Sequence, residues 1–387
     1  MTDAGNTLRA LIADEIARAG GAIPFRRYME LALYAPGVGY YTGPRGKIGR
    51  DGDFFTSLDV HPVFGRLLAT QVIEMSRALP DGPFTVVEMG AGKGHLAHDV
   101  LRTVEAADPA LFARLRYVIV DVSEDLIARQ KKLLAAYGAR IEWAADLGAL
   151  SGVRGVFLSN ELVDSLPHHQ VVMTGDGLRE VYVGEKDGRF REGWGPPSTP
   201  ALAAYFDAIG ITLPKGYRTE VNLAALDWMR AVGGALERGF VITIDYGYPA
   251  DVYYQADRRR GTFLCFHEHK ASENPYVRVG RQDMTAHVDF SSLARAGTRV
   301  GLEAVGLTDQ AHFLVGLGIT HAMEAVLACD GGDPRDSDEF RAMRRLMDPH
   351  GMGKAFKVLV QRKGVGHAPL AGMAMPAFHI TDLLGVD

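Results

Sequence analysis

The sequence predicts an α/β protein with an open, mostly parallel, doubly wound sheet. Three observations carry that prediction. Short apolar runs recur as FTVVEMG, YVIVDVS, IEWAAD, VFLSNEL and FVITIDYG, each the length of a buried strand. Helical patterns alternate with them, as crossovers between parallel strands require. The first run opens directly into a glycine loop and a further helix, and the later runs end in polar or acidic residues.

Residues 6–20 form an amphipathic helix, because Leu8, Leu11, Ile12 and Ile16 recur at helical spacing. Residues 24–34 form a second helix, opened by a proline near its first turn. Glycines at 37, 39, 43, 46, 49 and 52 then mark a long loop, and a helix over about 61–78 leads to the core. Strands follow at 84–90 and 117–123, with helices beginning at His95 and Asp125. Further strands lie at 141–146, 156–162 and 240–247. Between 170 and 192 the period is near two, with Asp-Gly turns, so antiparallel hairpins are expected there. Beyond 250 the sequence predicts a polar loop over 251–287, helices near 289–297 and 319–328, a strand over 355–363 and an irregular tail. These elements divide the chain into 1–80, a core of 81–169 with 240–363, an inserted subdomain of 170–239, and a tail of 364–387.

The 47 acidic and 42 basic residues give a net charge of −5, which does not suit a DNA-binding surface. No apolar run is long enough to span a membrane, and the N-terminus lacks the apolar core of a secretory signal. Cys265 and Cys329 are too few for a disulfide framework, so a reducing, cytoplasmic setting is the expectation.

The glycine loop, Glu88-Met-Gly90-Ala-Gly92-Lys-Gly94, points to a nucleotide-like ligand. Glycines let the main chain approach a ligand closely, and the helix start beyond them offers free N–H groups to an anion. The dinucleotide fingerprint would place Gly or Ala where His95 stands. The spacing favours S-adenosylmethionine instead. Asp121 closes the next strand, where a carboxylate accepts ribose hydroxyls, and Asp146 closes the third, placed for an adenine amino group.

The blocks PFRRYMELALYAPGVGYYT, IGRDGDFFTS, VVEMGAGKGHLA, SNELVDSLPHHQV, IDYGYP and GRQDMTAHVDFSSL make the chain similar to the MidA-like methyltransferases. The resemblance spans nearly its whole length. It implies a class I methyltransferase sheet of seven strands, S-adenosyl-L-methionine as cofactor, and a protein arginine as acceptor. The family's mitochondrial members assist respiratory complex I assembly through symmetric arginine dimethylation, which implies a complex I subunit as a partner. One departure is Asp121, where Glu is the commoner residue.

Asn160-Glu161-Leu-Val-Asp164 ends the fourth strand and is expected to open a helix. A guanidinium stays protonated, with a pKa above about 12. Carboxylates can grip its fork bidentately and turn the far nitrogen toward a methyl group. Glu161 and Asp164 suit that grip, with Asn160 as positioner and His287 as proton acceptor. Asp53, Phe54 and Thr56, in the Arg50–Ser57 string, read as a lid that touches the cofactor. Tyr246 and Tyr248 would line the acceptor channel. His267, His269, Asp283, His287 and Asp289 string together like metal ligands, but such spacings are common in loops and methyl transfer needs no Lewis acid. No metal is expected. Competing readings are a nicotinamide or flavin oxidoreductase, a non-catalytic assembly factor on the same fold, and a methyltransferase with another acceptor. The absence of an Asn-Pro-Pro-Tyr signature argues against base methylation.

Overall fold

The computed structural model describes residues 3–43, 61–328, 335 and 337–384. The chain divides into two compact units. One comprises Met1–Phe54, Val163–Trp228 and Tyr248–Ser292, the other Phe55–Leu162, Met229–Gly247 and Leu293–Asp387.

The second unit is built on seven strands: β1 (Phe84–Met89), β2 (Leu115–Val120), β3 (Ile141–Ala144), β4 (Val153–Asn160), β5 (Leu236–Tyr248), β6 (Glu303–Asp309) and β7 (Phe356–Lys363). Their order across the sheet is β3-β2-β1-β4-β5-β7-β6. The pairs from β3 to β5 are parallel, and β7 runs antiparallel between β5 and β6. This is the class I methyltransferase sheet that the resemblance implies, with the strand order reversing at β1 and β4. Ligands bind beyond the carboxyl ends of strands at such a switch point.

Burial on both faces explains the apolar runs. Val86, Val87, Val156, Phe157, Leu158, Val241 and Ile242 are all buried. On one face Val86, Val156, Leu158, Phe240 and Ile242 share a core with Phe64 and Val72 of the helix Val63–Arg77 and with Leu96 and Val100 of the helix His95–Ala107. Each such side chain contributes about 1.5–3 kcal/mol by leaving water.

Several boundaries differ from the sequence reading. β2 stops at Val120 and β3 at Ala144, so Asp121 and Asp146 lie outside the strands. β4 stops at Asn160, and the expected helix beyond it is a single 3₁₀ turn, Val163–Ser165. β6 falls in a segment the sequence left unassigned. The tail after 364 is not wholly irregular: it holds a 3₁₀ turn, Ala371–Met373, and Leu307 bridges to Phe378.

The first unit carries helices Asp3–Arg18 and Phe25–Tyr34 and a five-stranded sheet. In it Gly177–Lys186 pairs with His169–Thr174, Arg189–Gly195 and Ala22–Pro24. The last hairpin closes through the two-residue Asp187–Gly188 turn. The sequence divided residues 1–80 from 170–239. In the structure Leu8, Ile12, Ile16 and Tyr28 share one core with Val181, Val183 and Phe190. The N-terminal helices thus bury their apolar faces on the inserted hairpins. The expected polar loop over 251–287 contains a small sheet of Leu264–His267 between Lys270–Ser272 and Asp283–Thr285. Among the described residues no helix is long and apolar enough to cross a membrane.

Candidate active site

The site begins where β1 ends. Gly90, Gly92 and Gly94 all have positive φ, at 68°, 53° and 86°. A Cβ at Gly90 would lie 2.9 Å from Leu162 Cδ1, so this turn has no room for a side chain without movement. Gly94 starts the helix His95–Ala107 without a side-chain cap. The first-turn N–H groups are therefore left for solvent or for an anionic ligand.

Four acids surround this loop in the sequence reading, and the structure gives them different settings. Glu88, in β1, is 2% exposed. Its Oε2 accepts a 2.7 Å hydrogen bond from the Tyr117 hydroxyl of β2. Burial pushes its pKa up to about 7; the Tyr117 bond opposes that rise and the Asp121 charge adds to it. Asp121 is buried just past β2. Its Oδ1 accepts from Ser123 N–H at 3.0 Å and its Oδ2 from Gln130 Nε2 at 2.8 Å. Burial raises its pKa, while the donors from Ser123 and Gln130 hold the rise back. Asp146 is exposed in a bend two residues past β3 and makes no capping bond. Glu161 directly follows β4.

Glu161 has φ of +53°, an unusual conformation for a residue with a Cβ. Its N–H donates to Ile244 O of β5 at 2.9 Å, which pins the backbone there. Asn160 Nδ2 donates to Glu161 Oε1 at 3.1 Å. Backbone strain of this kind costs about 1–3 kcal/mol and persists only where surrounding structure enforces it.

Asp164 and His287 lie in the first unit. Asp164 is buried in the 3₁₀ turn, and its carbonyl accepts from Ala286 N–H at 3.1 Å. His287 N–H donates to Thr262 Oγ1 at 3.0 Å, and its ring stands 5.4 Å from that of Tyr248. The structure thus brings the Asp164 and His287 segments together within that unit. Glu220 fixes Thr262 in turn, accepting from its N–H and its hydroxyl. Of the metal-like string, Asp283 accepts from the Tyr41 hydroxyl and Asp289 from the Tyr205 hydroxyl. Among the described residues no group of three or more His, Cys, Asp or Glu is gathered as for a metal ion. Asp53, Phe54 and Thr56 lie outside the described residues.

Sequence reasoning missed Tyr117, Gln130 and Val122. Val122 is 59% exposed beside Asp121, an apolar surface next to a buried carboxylate. Gln130 reads as one more polar residue of a charged helix, and only the fold reveals its contacts.

A family model for S-adenosyl-L-methionine-dependent methyltransferases matches residues 67–308. The chain belongs to that family. A superfamily member from Burkholderia thailandensis, crystallised with S-adenosyl-homocysteine, is 37% identical. The two share their fold with a TM-score of 0.87 over 96% of each chain. The mitochondrial protein arginine methyltransferase NDUFAF7 homologue of Drosophila melanogaster is 29% identical, across 89% of this chain and 82% of that protein. Human NDUFAF7 is 27% identical, across 88% and 80%.

The cofactor of this methyltransferase is S-adenosyl-L-methionine, and the residues at the switch point fit it. The glycine turn and uncapped helix start can receive its anionic end. Asp121 keeps acceptor capacity for ribose hydroxyls, since a carboxylate has about four acceptor sites. Val122 offers an exposed apolar side chain beside Asp121, where a base could pack.

Proposed function

We propose that this methyltransferase modifies arginine side chains of a protein, in a bacterial cytoplasm, and that its acceptor is a subunit of respiratory complex I undergoing symmetric dimethylation. The observation that carries the arginine reading is Glu161, a carboxylate held at the end of β4 in a strained conformation and hydrogen-bonded by Asn160. The arginine methyltransferase relatives support the same acceptor. The cytoplasm is proposed from the low cysteine content and the complex I subunit from the resemblance.

When bound, the cofactor supplies an electrophilic methyl on a sulfonium. The chain's own task is to present a poor nucleophile. Glu161 accepts two N–H donors of the guanidinium and draws its positive charge toward them, leaving the remaining nitrogen free to attack. Asn160 fixes the Glu161 rotamer by donating to one of its oxygens. The attacking nitrogen would bond to the methyl carbon as that carbon's bond to sulfur breaks, releasing S-adenosyl-homocysteine as the neutral thioether, and would give its proton to a base. Asp164, as a second carboxylate, and His287, as proton acceptor, belong to the same proposal. They rest on residue type and on the backbone bond from Ala286 N–H to the Asp164 carbonyl, which joins their two segments within one unit. Asp146 as an adenine contact, and Asp53, Phe54 and Thr56 as a lid, complete it.

The test is radiolabelled cofactor with a cell lysate, followed by acid hydrolysis and amino-acid analysis of the labelled proteins. Methylarginine is the expected product, lost at least about 100-fold with Glu161→Gln. Label in any other amino acid, or none in protein, rejects the acceptor.

A further inference from the structure

Gln130 stands at the centre of the cofactor half of the site and is fully buried on the helix Glu124–Leu133. Its single amide ties the ends of three strands. Nε2 donates to Gly92 O of the glycine loop at 2.8 Å and to Asp121 Oδ2 at 2.8 Å. Oε1 accepts from Trp143 Nε1 of β3 at 3.0 Å. Its Cγ lies 3.2 Å from where a Cβ on Gly94 would stand.

The orientation of this amide follows from its partners. A backbone carbonyl and a carboxylate only accept, so they must face the NH₂ group. The Trp143 indole only donates, so it must face the oxygen. Both N–H donors of the amide are engaged, and its oxygen holds the indole. A glutamate would set a carboxylate against two acceptors, and an apolar residue would orphan both Asp121 Oδ2 and the indole N–H.

We infer that Gln130 is a positioning residue for cofactor recognition, which aims the Asp121 carboxylate and locks the glycine loop to it. The inference rests on Asp121 as the ribose-binding acid and is independent of the acceptor. Gln130 touches no reacting atom. Its effect should therefore fall on cofactor affinity rather than on the chemical step. Because its N–H donates to the charged form of Asp121, losing it should also raise the pH at which affinity fails.

The experiment measures S-adenosyl-homocysteine binding by calorimetry from pH 4.5 to 8 on the full chain, with kcat at saturating cofactor beside it. Gln130→Met should weaken binding by about 10- to 100-fold, the range for losing a hydrogen bond to a charged group. It should leave kcat within about threefold and move the acid limb of the affinity profile to higher pH. Gln130→Glu, which keeps the size and so guards against a folding defect, should bind worst at pH 8. It should recover as the pH falls, because the carboxyl introduced there then carries a proton to donate to Asp121. In an Asp121→Asn background, Gln130→Met should add little further loss of affinity. An unmoved acid limb, an undiminished loss in that background, or a fall in kcat at unchanged affinity would each overturn the inference. If Asp121→Asn alone binds like the parent, the ribose assignment fails, and the inference with it.

Discussion

Glu88→Gln should make the cofactor-free protein more stable at pH 8 and leave it nearly unchanged at pH 5. The folded protein holds the Glu88 carboxyl at about 7, against an ordinary value of 4.5. In the unfolded chain that group ionises at its ordinary value. Between 4.5 and 7 the unfolded chain has therefore released a proton that the folded protein keeps. Stability falls as the pH rises through that window, and above 7 the folded state carries the full cost of a buried charge. At 1.36 kcal/mol for each pH unit, the gap corresponds to about 3 kcal/mol. Glutamine keeps the shape and can still accept from the Tyr117 hydroxyl, and burying its NH₂ group without an acceptor would cost about 1 kcal/mol. The net gain at pH 8 is then about 2 kcal/mol. Urea unfolding at pH 5, 6, 7 and 8 reads this directly from the midpoints at constant slope. The reasoning is refuted if the difference between variant and parent stays constant within about 0.5 kcal/mol over that range.

Tyr117→Phe removes the donor that favours the charged form of Glu88, so the decline in stability should continue above pH 7, where the parent levels off; unfolding midpoints from pH 7 to 9 check it. Glu161→Gly should relieve the +53° backbone and raise stability by about 0.5–1 kcal/mol while abolishing methyl transfer. A variant that is less stable than the parent would show that the conformation is not strained. Gly155→Ala should cost more than about 3 kcal/mol and give insoluble protein, since a Cβ there would sit 1.9 Å from Thr85 O in the neighbouring strand. Normal expression and melting would contradict the tight β1–β4 approach.

The core strands were legible because parallel strands buried on both faces must be apolar at consecutive positions, a pattern few other elements share. The segments that escaped notice fail that condition for identifiable reasons. β6 is an edge strand whose register shifts between Ala304 and Gly306, so the irregularity breaks its alternation. The hairpin of Leu264–His267 with Lys270–Ser272 turns through Glu268 and His269, at φ of 49° and 60°. Neither residue is a glycine or asparagine, so the turn carries no usual signature. The shared core of the N-terminal helices and the inserted hairpins joins segments more than a hundred residues apart, and no local periodicity encodes such a contact.

The site divides along the same physical line. Glycine spacing and strand-end acids are local, and they were readable. The charge state of those acids is not local. The sequence assigns Glu88 and Asp121 together as cofactor carboxylates, yet burial pushes Glu88 up to about 7 against the opposing hydrogen bond from the Tyr117 hydroxyl. Burial raises Asp121 as well, and there the donors on both oxygens oppose the rise. A carboxylate whose oxygens already accept two donors has its charged form favoured by them and can still accept ribose hydroxyls. One poised near 7 contributes a formal charge that burial makes costly, and that cost is smallest when a cation lies beside it. A cofactor bearing a sulfonium and an ammonium group is such a cation, so its binding should draw the Glu88 proton off. Calorimetry of S-adenosylmethionine binding at pH 6.5 in buffers of different ionisation enthalpy would register that release as a buffer-dependent heat. A buffer-independent heat would mean that Glu88 remains protonated in the complex and acts only through Tyr117.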